Sequence, residues 1–525
     1  MKAVRDGEKS RREGSLEVST ISDFVRAHVI RRPDHTAYIY AQGQVTWAEL
    51  DRRIDALGTA MWARGIRPGD TVGVCTTDGP VQVEVMYALA RIGARRTGLN
   101  YRFSAESIQI LSAHSEAKLI IIEDDFAQLT DGCTPEFGII RAGDGQGARG
   151  EYEDFLDFDA PPPKVSVSAS DICQICYTTG STGNPKGALW RHSSLVHAMG
   201  FTLLDVNFNE DDIYLHCLPA AGVPSVLLTW NAMLGFTTVV MPKFDPVAAL
   251  DLMERHRCTT TLFIPTMLTA VCEVAEKQPR DLTSMRKILY GSASTPPALV
   301  QRVNAVFEGI ALEQVYGSTE GMGGWYTKLS AADHAFALEH NPNLLASCGR
   351  PTIHARVRIA DEDGQDCAPD EVGEICVAGG FVMDGYFKEP ELTSAALKDG
   401  WLYTGDMGRI DENGYLYLVD RKQFMIITGG YNVYPIEVEN LIATHPSVLE
   451  VCVFGVPDER WGDSIHAAVV PRPGCEIDPN DLMTWCKGKI TNFKVPKSVE
   501  LRDELIRGAT GKIQKRAERA RRIGA

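Results

Sequence analysis

Residues 178–187 read Thr-Thr-Gly-Ser-Thr-Gly-Asn-Pro-Lys-Gly, which sets three glycines, four hydroxyl side chains and one lysine in ten consecutive positions. This is a composition that grips phosphate. Gly180, Gly183 and Gly187 permit turns and a close approach that a Cβ would obstruct, while Thr178, Thr179, Ser181, Thr182 and the amides among them can donate hydrogen bonds to phosphate oxygens. Lys186 adds a mobile positive charge. A Walker A loop carries its lysine directly after the last glycine and then Ser or Thr; here Asn184 and Pro185 intervene and Gly187 follows, so this is a different phosphate loop. A surface linker has a similar composition, but a lysine and a proline fixed between glycines favour the phosphate reading.

The elements that must hold this loop are legible on both sides. Ile172 to Tyr177 is short and largely apolar, as a buried strand is, and Ala188-Leu189-Trp190 begins another. Upstream, Thr46-Trp47-Ala48-Glu49 forms a capping box that opens a helix, Val72 to Cys75 reads as a strand, and Val81 to Ile92 reads as a helix stopped by Gly93. Residues 126–170 are richer in Gly, Asp and Pro, with Pro161-Pro162-Pro163 a stiff connector ahead of the phosphate loop. A second alternation of helix and strand follows to about residue 350. Short strands and tight turns then take over, at Arg356 to Ala360, at Gly373 to Val377 and in a hairpin turning at Asn413-Gly414. The expected fold is α/β: a large N-terminal domain over 21–420 with a β-rich subdomain at about 352–420, then a small mobile α+β domain over 421–525. Residues 1–20 are expected to be a disordered tail.

Bulk properties narrow the function. At 525 residues the chain exceeds what a single hydrophobic core usually serves. A net charge of −16 argues against a nucleic-acid binder, whose affinity rests on basic surface. No apolar run approaches the roughly 20 residues that span a bilayer, so a cytoplasmic protein without membrane insertion is expected. Cys173 and Cys176 form a C-x-x-C, yet no second pair completes a zinc site and both sit in an apolar strand, where cysteine serves as a small hydrophobe.

Four further segments follow the phosphate loop in order: Tyr316-Gly317-Ser318-Thr319-Glu320; Tyr403-Thr404-Gly405-Asp406; Asp420-Arg421-Lys422 running into Thr428-Gly429-Gly430-Tyr431; and Gly511-Lys512-Ile513. As a set they resemble the adenylate-forming superfamily of acyl-CoA synthetases, adenylation domains and firefly luciferase, over roughly residues 20 to 516. The resemblance implies an AMP-forming acid:CoA ligase using ATP, Mg²⁺ and CoA, or a phosphopantetheinyl carrier protein in place of CoA. A carboxylate attacks the α-phosphate of ATP to give an acyl-adenylate and pyrophosphate, and a thiol then displaces AMP.

Roles follow by the same resemblance. The phosphate loop and Lys186 would hold the departing pyrophosphate, Glu320 would bind Mg²⁺, Thr319 the α-phosphate, and Tyr316 would stack on adenine, flanked by Gly317 and Ser318. Asp406 and Arg421 would take the ribose, and Ser292, Ala293 and Ser294 would line the adenine and acyl pockets. Lys512 would bridge carboxylate and phosphate in the first half-reaction; a swing at the hinge residue Gln423 would then bring Gly429, Gly430 and Tyr431 to the site with the CoA arm. Ala221, Gly222, Val223, Gly317, Met322, Gly323 and Gly324 are expected around the acyl group.

Two departures from the family pattern bear on substrate. The run Pro219-Ala220-Ala221-Gly222-Val223-Pro224 replaces an aromatic-histidine pair with small residues, which suggests a pocket for a bulky or rigid acid. Val223 stands where amino-acid-activating relatives carry an aspartate, so an α-ammonium would go unpaired and amino acids are disfavoured. At the hinge, Gln423 replaces the usual Asp or Lys and leaves the acceptor open between CoA and a carrier protein. A nucleotide-binding protein without turnover is the reading from another class; the presence of Lys186, Thr319, Glu320, Asp406 and Lys512 together speaks against it.

Overall fold

The computed structural model describes residues 20–143, 150–178, 186–508 and 513–524. Local sequence signals start and stop its elements. Thr46 accepts a hydrogen bond from the Glu49 amide (3.2 Å) while the Glu49 carboxylate accepts from the Thr46 amide (2.9 Å), and this reciprocal cap opens the helix Trp47–Arg64. The helix Pro80–Ile92 starts on a proline whose missing N–H costs nothing there, and ends at Gly93 in the left-handed region, φ 72°.

Two sheets carry the large N-terminal region. One has nine strands, and its centre is parallel: Ala311–Tyr316, Lys287–Gly291, Thr260–Phe263, Ile213–His216, Thr237–Val240 and Thr36–Tyr40 lie side by side in that order. Every residue of Lys287–Gly291 and Thr260–Phe263 is buried, as expected for parallel strands covered on both faces. The second sheet has six strands and ends in the antiparallel pair Ile172–Thr178 and Lys186–Arg191. Residues 126–170 hold more structure than their composition suggests. Ile139–Arg141 joins the edge of this sheet beside Ala117–Ile122, and the helix Gly150–Phe155 follows, its Tyr152 buried with the hydroxyl donating to Glu84 (2.8 Å). The apolar pair Ile139-Ile140 finds its burial only through partners distant in sequence.

Beyond residue 352 the chain builds a five-stranded antiparallel sheet, in which Trp401–Ile410 pairs with Leu416–Arg421 across the turn at Asn413-Gly414. A last five-stranded sheet follows, from Ile426–Thr428 to Ser498–Leu501, backed by the helices Pro435–Ala443 and Lys515–Ile523. The α/β fold class is therefore borne out. One apolar core draws on residues from Ile21 to Leu416; another draws on Ile426 to Val495. Asp420 joins the two regions: its carboxylate accepts from the Ile436 amide (2.9 Å) and lies 3.9 Å from the half-buried Lys515 ammonium, which also pairs with Glu439 (2.8 Å).

Candidate functional site

Polar residues from three separate segments meet where strands of the large region end. Tyr316 is the last residue of the strand Ala311–Tyr316, and its hydroxyl donates to Asp406 Oδ2 (2.7 Å). Asp406 is 5 % exposed, and its other carboxylate oxygen pairs with Arg421 Nε (2.9 Å), its register partner on the neighbouring strand. The Asp406 carboxylate holds the Arg421 guanidinium above its usual pKa, and burial, reinforced by the same carboxylate, pushes the Tyr316 phenol up. A carboxylate fixed from two sides in this way is an oriented acceptor for paired hydroxyls.

The loop after Tyr316 carries the remaining members of that motif. Tyr326 returns its amide to the Tyr316 carbonyl (2.8 Å), closing the loop, and Ser318 Oγ lies 2.7 Å from the Tyr326 hydroxyl. Gly317 packs so tightly that a Cβ would meet the Gly324 carbonyl at 2.8 Å. Thr319 and Glu320 open a short 3₁₀ turn fastened from the other sheet: Trp190 Nε1 donates to the Thr319 carbonyl (2.9 Å). Tyr386 donates to Glu320 Oε1 (2.8 Å), and the Met383 amide donates to the Glu320 carbonyl (2.8 Å). Sequence reasoning missed Trp190 and Tyr386, since an aromatic in an apolar run gives no signal of which distant loop it will hold.

Lys186 heads the strand Lys186–Arg191, beside Thr178 in register. Segment 384–387 lies along the other edge of that strand, with the Leu189 amide donating to Gly385 (2.9 Å), Phe387 donating to Gly187 (2.8 Å), and Arg191 Nε donating to Asp384 (2.7 Å). Thr179, Gly180, Ser181, Thr182, Gly183 and Lys512 lie outside the described residues, as does the side chain of Thr178. Cys173 and Cys176 are buried in the strand leading to the loop; burial pushes both thiols up to about 12, and Cys173 donates to the Trp190 carbonyl (3.3 Å).

Small residues converge on the opposite side of the loop. At Gly323, φ 74°, an added Cβ would lie 3.4 Å from Val223 and from Val226, so Val223 and Gly323 face one another across van der Waals distance. Met322 is fully buried and itself left-handed, φ 53°. A Cβ on Gly324 would meet Phe381 at 2.9 Å. Ala221 is 8 % exposed, and its carbonyl rests against Gly98, where a Cβ would come within 1.9 Å of that oxygen. Ser292, Ala293 and Ser294 form an exposed bend after the strand Lys287–Gly291, whose Gly291 pairs with Val315, the residue before Tyr316.

The small C-terminal region presents a second glycine turn. Gly429 and Gly430 both have positive φ, 58° and 83°, and the Gly429 amide donates to the Trp461 carbonyl (2.8 Å). Tyr431 is exposed and stacks on Phe493 with ring centroids 4.5 Å apart. Gln423 sits in the 3₁₀ turn Lys422–Phe424 that joins the two regions, and its side-chain oxygen accepts from Arg516 (2.9 Å) on the last helix. No helix among the described residues is long and apolar enough to cross a membrane.

Residues 25–387 match the family model described as AMP-binding enzyme, and residues 437–512 match that of the AMP-binding enzyme C-terminal domain. A feruloyl-CoA synthase of an Amycolatopsis species is 36 % identical over 496 residues, covering 94 % of this chain and 96 % of the relative. The indoleacetate–CoA ligase of Aromatoleum aromaticum is 33 % identical, with 94 % and 96 % covered. Among solved structures, ATP-bound MatB from Rhodopseudomonas palustris superposes with a TM-score of 0.86 at 26 % identity, over 96 % of this chain and 98 % of that one.

Proposed function

This chain belongs to the AMP-binding enzyme family, and on that premise we propose that it is an AMP-forming acid:CoA ligase whose acid carries an apolar, flat distal group and no second charge. The carboxylate of the acid attacks the α-phosphorus of ATP, forming the acyl-adenylate and releasing pyrophosphate; the thiol of CoA then attacks the acyl carbon and AMP leaves. The observation that carries this reading is the junction of Tyr316, Asp406 and Arg421 with the loop bearing Thr319 and Glu320, which joins a ribose acceptor to a phosphate-side carboxylate.

In that scheme Asp406 accepts from the ribose hydroxyls, and Arg421 and Tyr316 keep its two oxygens aimed. Glu320, with Tyr386 on one oxygen, is a hard oxygen donor of the kind Mg²⁺ takes. A bound Mg²⁺ would neutralise phosphate charge as pyrophosphate departs. Thr319, held through Trp190, steadies the α-phosphate, and Lys186 the outer phosphates. Lys512 stabilises the charge of adenylation. The region from 421 onward turns about Gln423 to exchange Lys512 for the Gly429-Gly430 turn during thiolation. The facing Val223 and Gly323, with no carboxylate at 223, support an uncharged distal group on the acid, a class that includes the aryl acids named for the two relatives.

A panel of aryl, aliphatic and polycyclic acids with ATP, Mg²⁺ and CoA is expected to give acyl-CoA, AMP and pyrophosphate, with aryl acids favoured. Lys512→Ala is expected to suppress adenylation far more than thiolation of supplied acyl-adenylate. Pyrophosphate exchange absent across the whole panel would overturn the reading, and intact-mass detection of acyl transfer to a carrier protein but not to CoA would reassign the acceptor.

A further inference from the structure

Behind the small residues at 220–224 lies a buried polar cluster that the reaction scheme does not use. Arg96, on the strand Arg95–Gly98, is 1 % exposed. Its guanidinium donates to the Ala220 carbonyl (2.7 Å), to Gln82 Oε1 (2.8 Å) and to Gln174 Oε1 (3.3 Å). Asp78, 4 % exposed, accepts from the Ala220 amide (2.8 Å) on one oxygen and lies 3.4 Å from the fully buried His216 on the other. Gln174 in turn donates to Ser225 Oγ (3.2 Å), at the far end of the same segment. Burial pulls the Arg96 guanidinium down to about 10.

Burying a charge is costly unless its donors are satisfied, and a guanidinium spent largely on amide oxygens and one peptide carbonyl makes little sense as a source of stability alone. Its geometry has a specific consequence. The Ala220 residue is gripped at both its polar atoms, N–H by Asp78 and C=O by Arg96. From the same strand Gly98 presses on the next carbonyl, that of Ala221. The segment is thereby fixed in depth, and what it turns towards Gly323 is the side chain of Val223.

We infer that Arg96 and Asp78 are specificity-determining positioning residues, which clamp Ala220 from behind and so set how far the 220–224 wall stands from the acid. This rests on the ligase reading above. It adds that the selectivity of the pocket is held by residues that never touch the substrate.

The test compares wild type, Arg96→Met, Arg96→Lys and Asp78→Asn in acid-dependent pyrophosphate release, using a slim and a wide aryl acid, with KM measured separately for acid and for ATP. Arg96→Met frees the Ala220 carbonyl and is expected to raise KM for the preferred acid roughly tenfold and to shrink the slim-to-wide ratio of kcat/KM, with KM for ATP within about twofold. Arg96→Lys keeps one donor and should fall between. Asp78→Asn keeps the size and an acceptor oxygen while weakening the hold on the Ala220 amide, and should shift the ratio in the same direction by less, which keeps the proposal testable if Arg96→Met does not fold. Acid KM and ratio unchanged in Asp78→Asn and in Arg96→Met or Arg96→Lys, or acid and ATP KM rising together, would overturn it. Wild type inactive with every acid would instead overturn the ligase reading, and this inference with it.

Discussion

In the proposed ligase the two ends of the site are built in opposite ways. At the nucleotide end, polar side chains face one another: Tyr316 and Arg421 fix Asp406, and Tyr386 fixes Glu320. At the acyl end Val223 faces Gly323, which Met322 and Gly324 flank in the chain, while Arg96 and Asp78 stand behind the wall and hold its backbone and Gln174 ties Arg96 to the Ser225 hydroxyl. The first end recognises by what its side chains offer, and it is constrained in residue type. The second recognises by the space it leaves, and it is constrained in position. A substitution at the nucleotide end should therefore act on every acid alike, and one at the acyl end should sort acids from one another.

The largest effect is expected at Asp406. Asp406→Ala removes the proposed ribose acceptor and leaves Arg421 and Tyr316 without the carboxylate between them; loss of about 100-fold in kcat/KM for ATP is expected, from hydrogen bonds to a charged group at about 1.5–3 kcal/mol each. Pyrophosphate exchange with two unlike acids checks it. If the loss depended on the acid, the division between the two ends would fail.

Val223→Phe is expected to come next and to act the other way. A Cβ on Gly323 would already touch Val223, so the larger ring has no room there and is displaced into the proposed acyl pocket, lowering kcat/KM for a wide aryl acid by roughly 10- to 100-fold while sparing a short one. Uniform loss, or a rise in KM for ATP, would blur the comparison.

A smaller effect concerns pH. His354 touches Phe381, the ring against which Gly324 packs, and burial lowers its imidazole to about 4; burial lowers that of the fully buried His192 to about 4 also. Both are neutral in the folded chain and would protonate near 6.5 when unfolded, so the unfolded state binds more protons between those values. Stability from these groups is full above about pH 6.5 and is lost as pH falls towards 4. The melting temperature should drop by a few degrees between pH 7 and 5, and His354→Gln should flatten that fall. An unchanged slope in the variant would remove His354 from the account.

Legibility followed the same division. Tyr316, Asp406 and Glu320 belong to motifs that demand particular side chains, so they stood out in the sequence and the structure brings Tyr316 and Asp406 within 2.7 Å across 90 residues. Arg96 stood out not at all. It lies in a short Arg-Arg-Thr-Gly strand, and the carbonyl it holds is 124 residues away, so no local spacing could announce it. Trp190 and Tyr386 were hidden for a similar reason. The small residues at 220–224 were visible as a departure, yet their meaning depended on the facing Gly323.

By itself the sequence determined the α/β class, the helix caps at Thr46 and Gly93, the hairpin at Asn413-Gly414 and the family with its two-step chemistry, because each rests on residue type at short range or on motifs in fixed order. The tertiary structure alone decided which distant side chains hold those motifs in place and what fixes the segment 220–224. Such contacts join residues more than 60 positions apart, and a gap between side chains exists only once both of its walls have been folded into place.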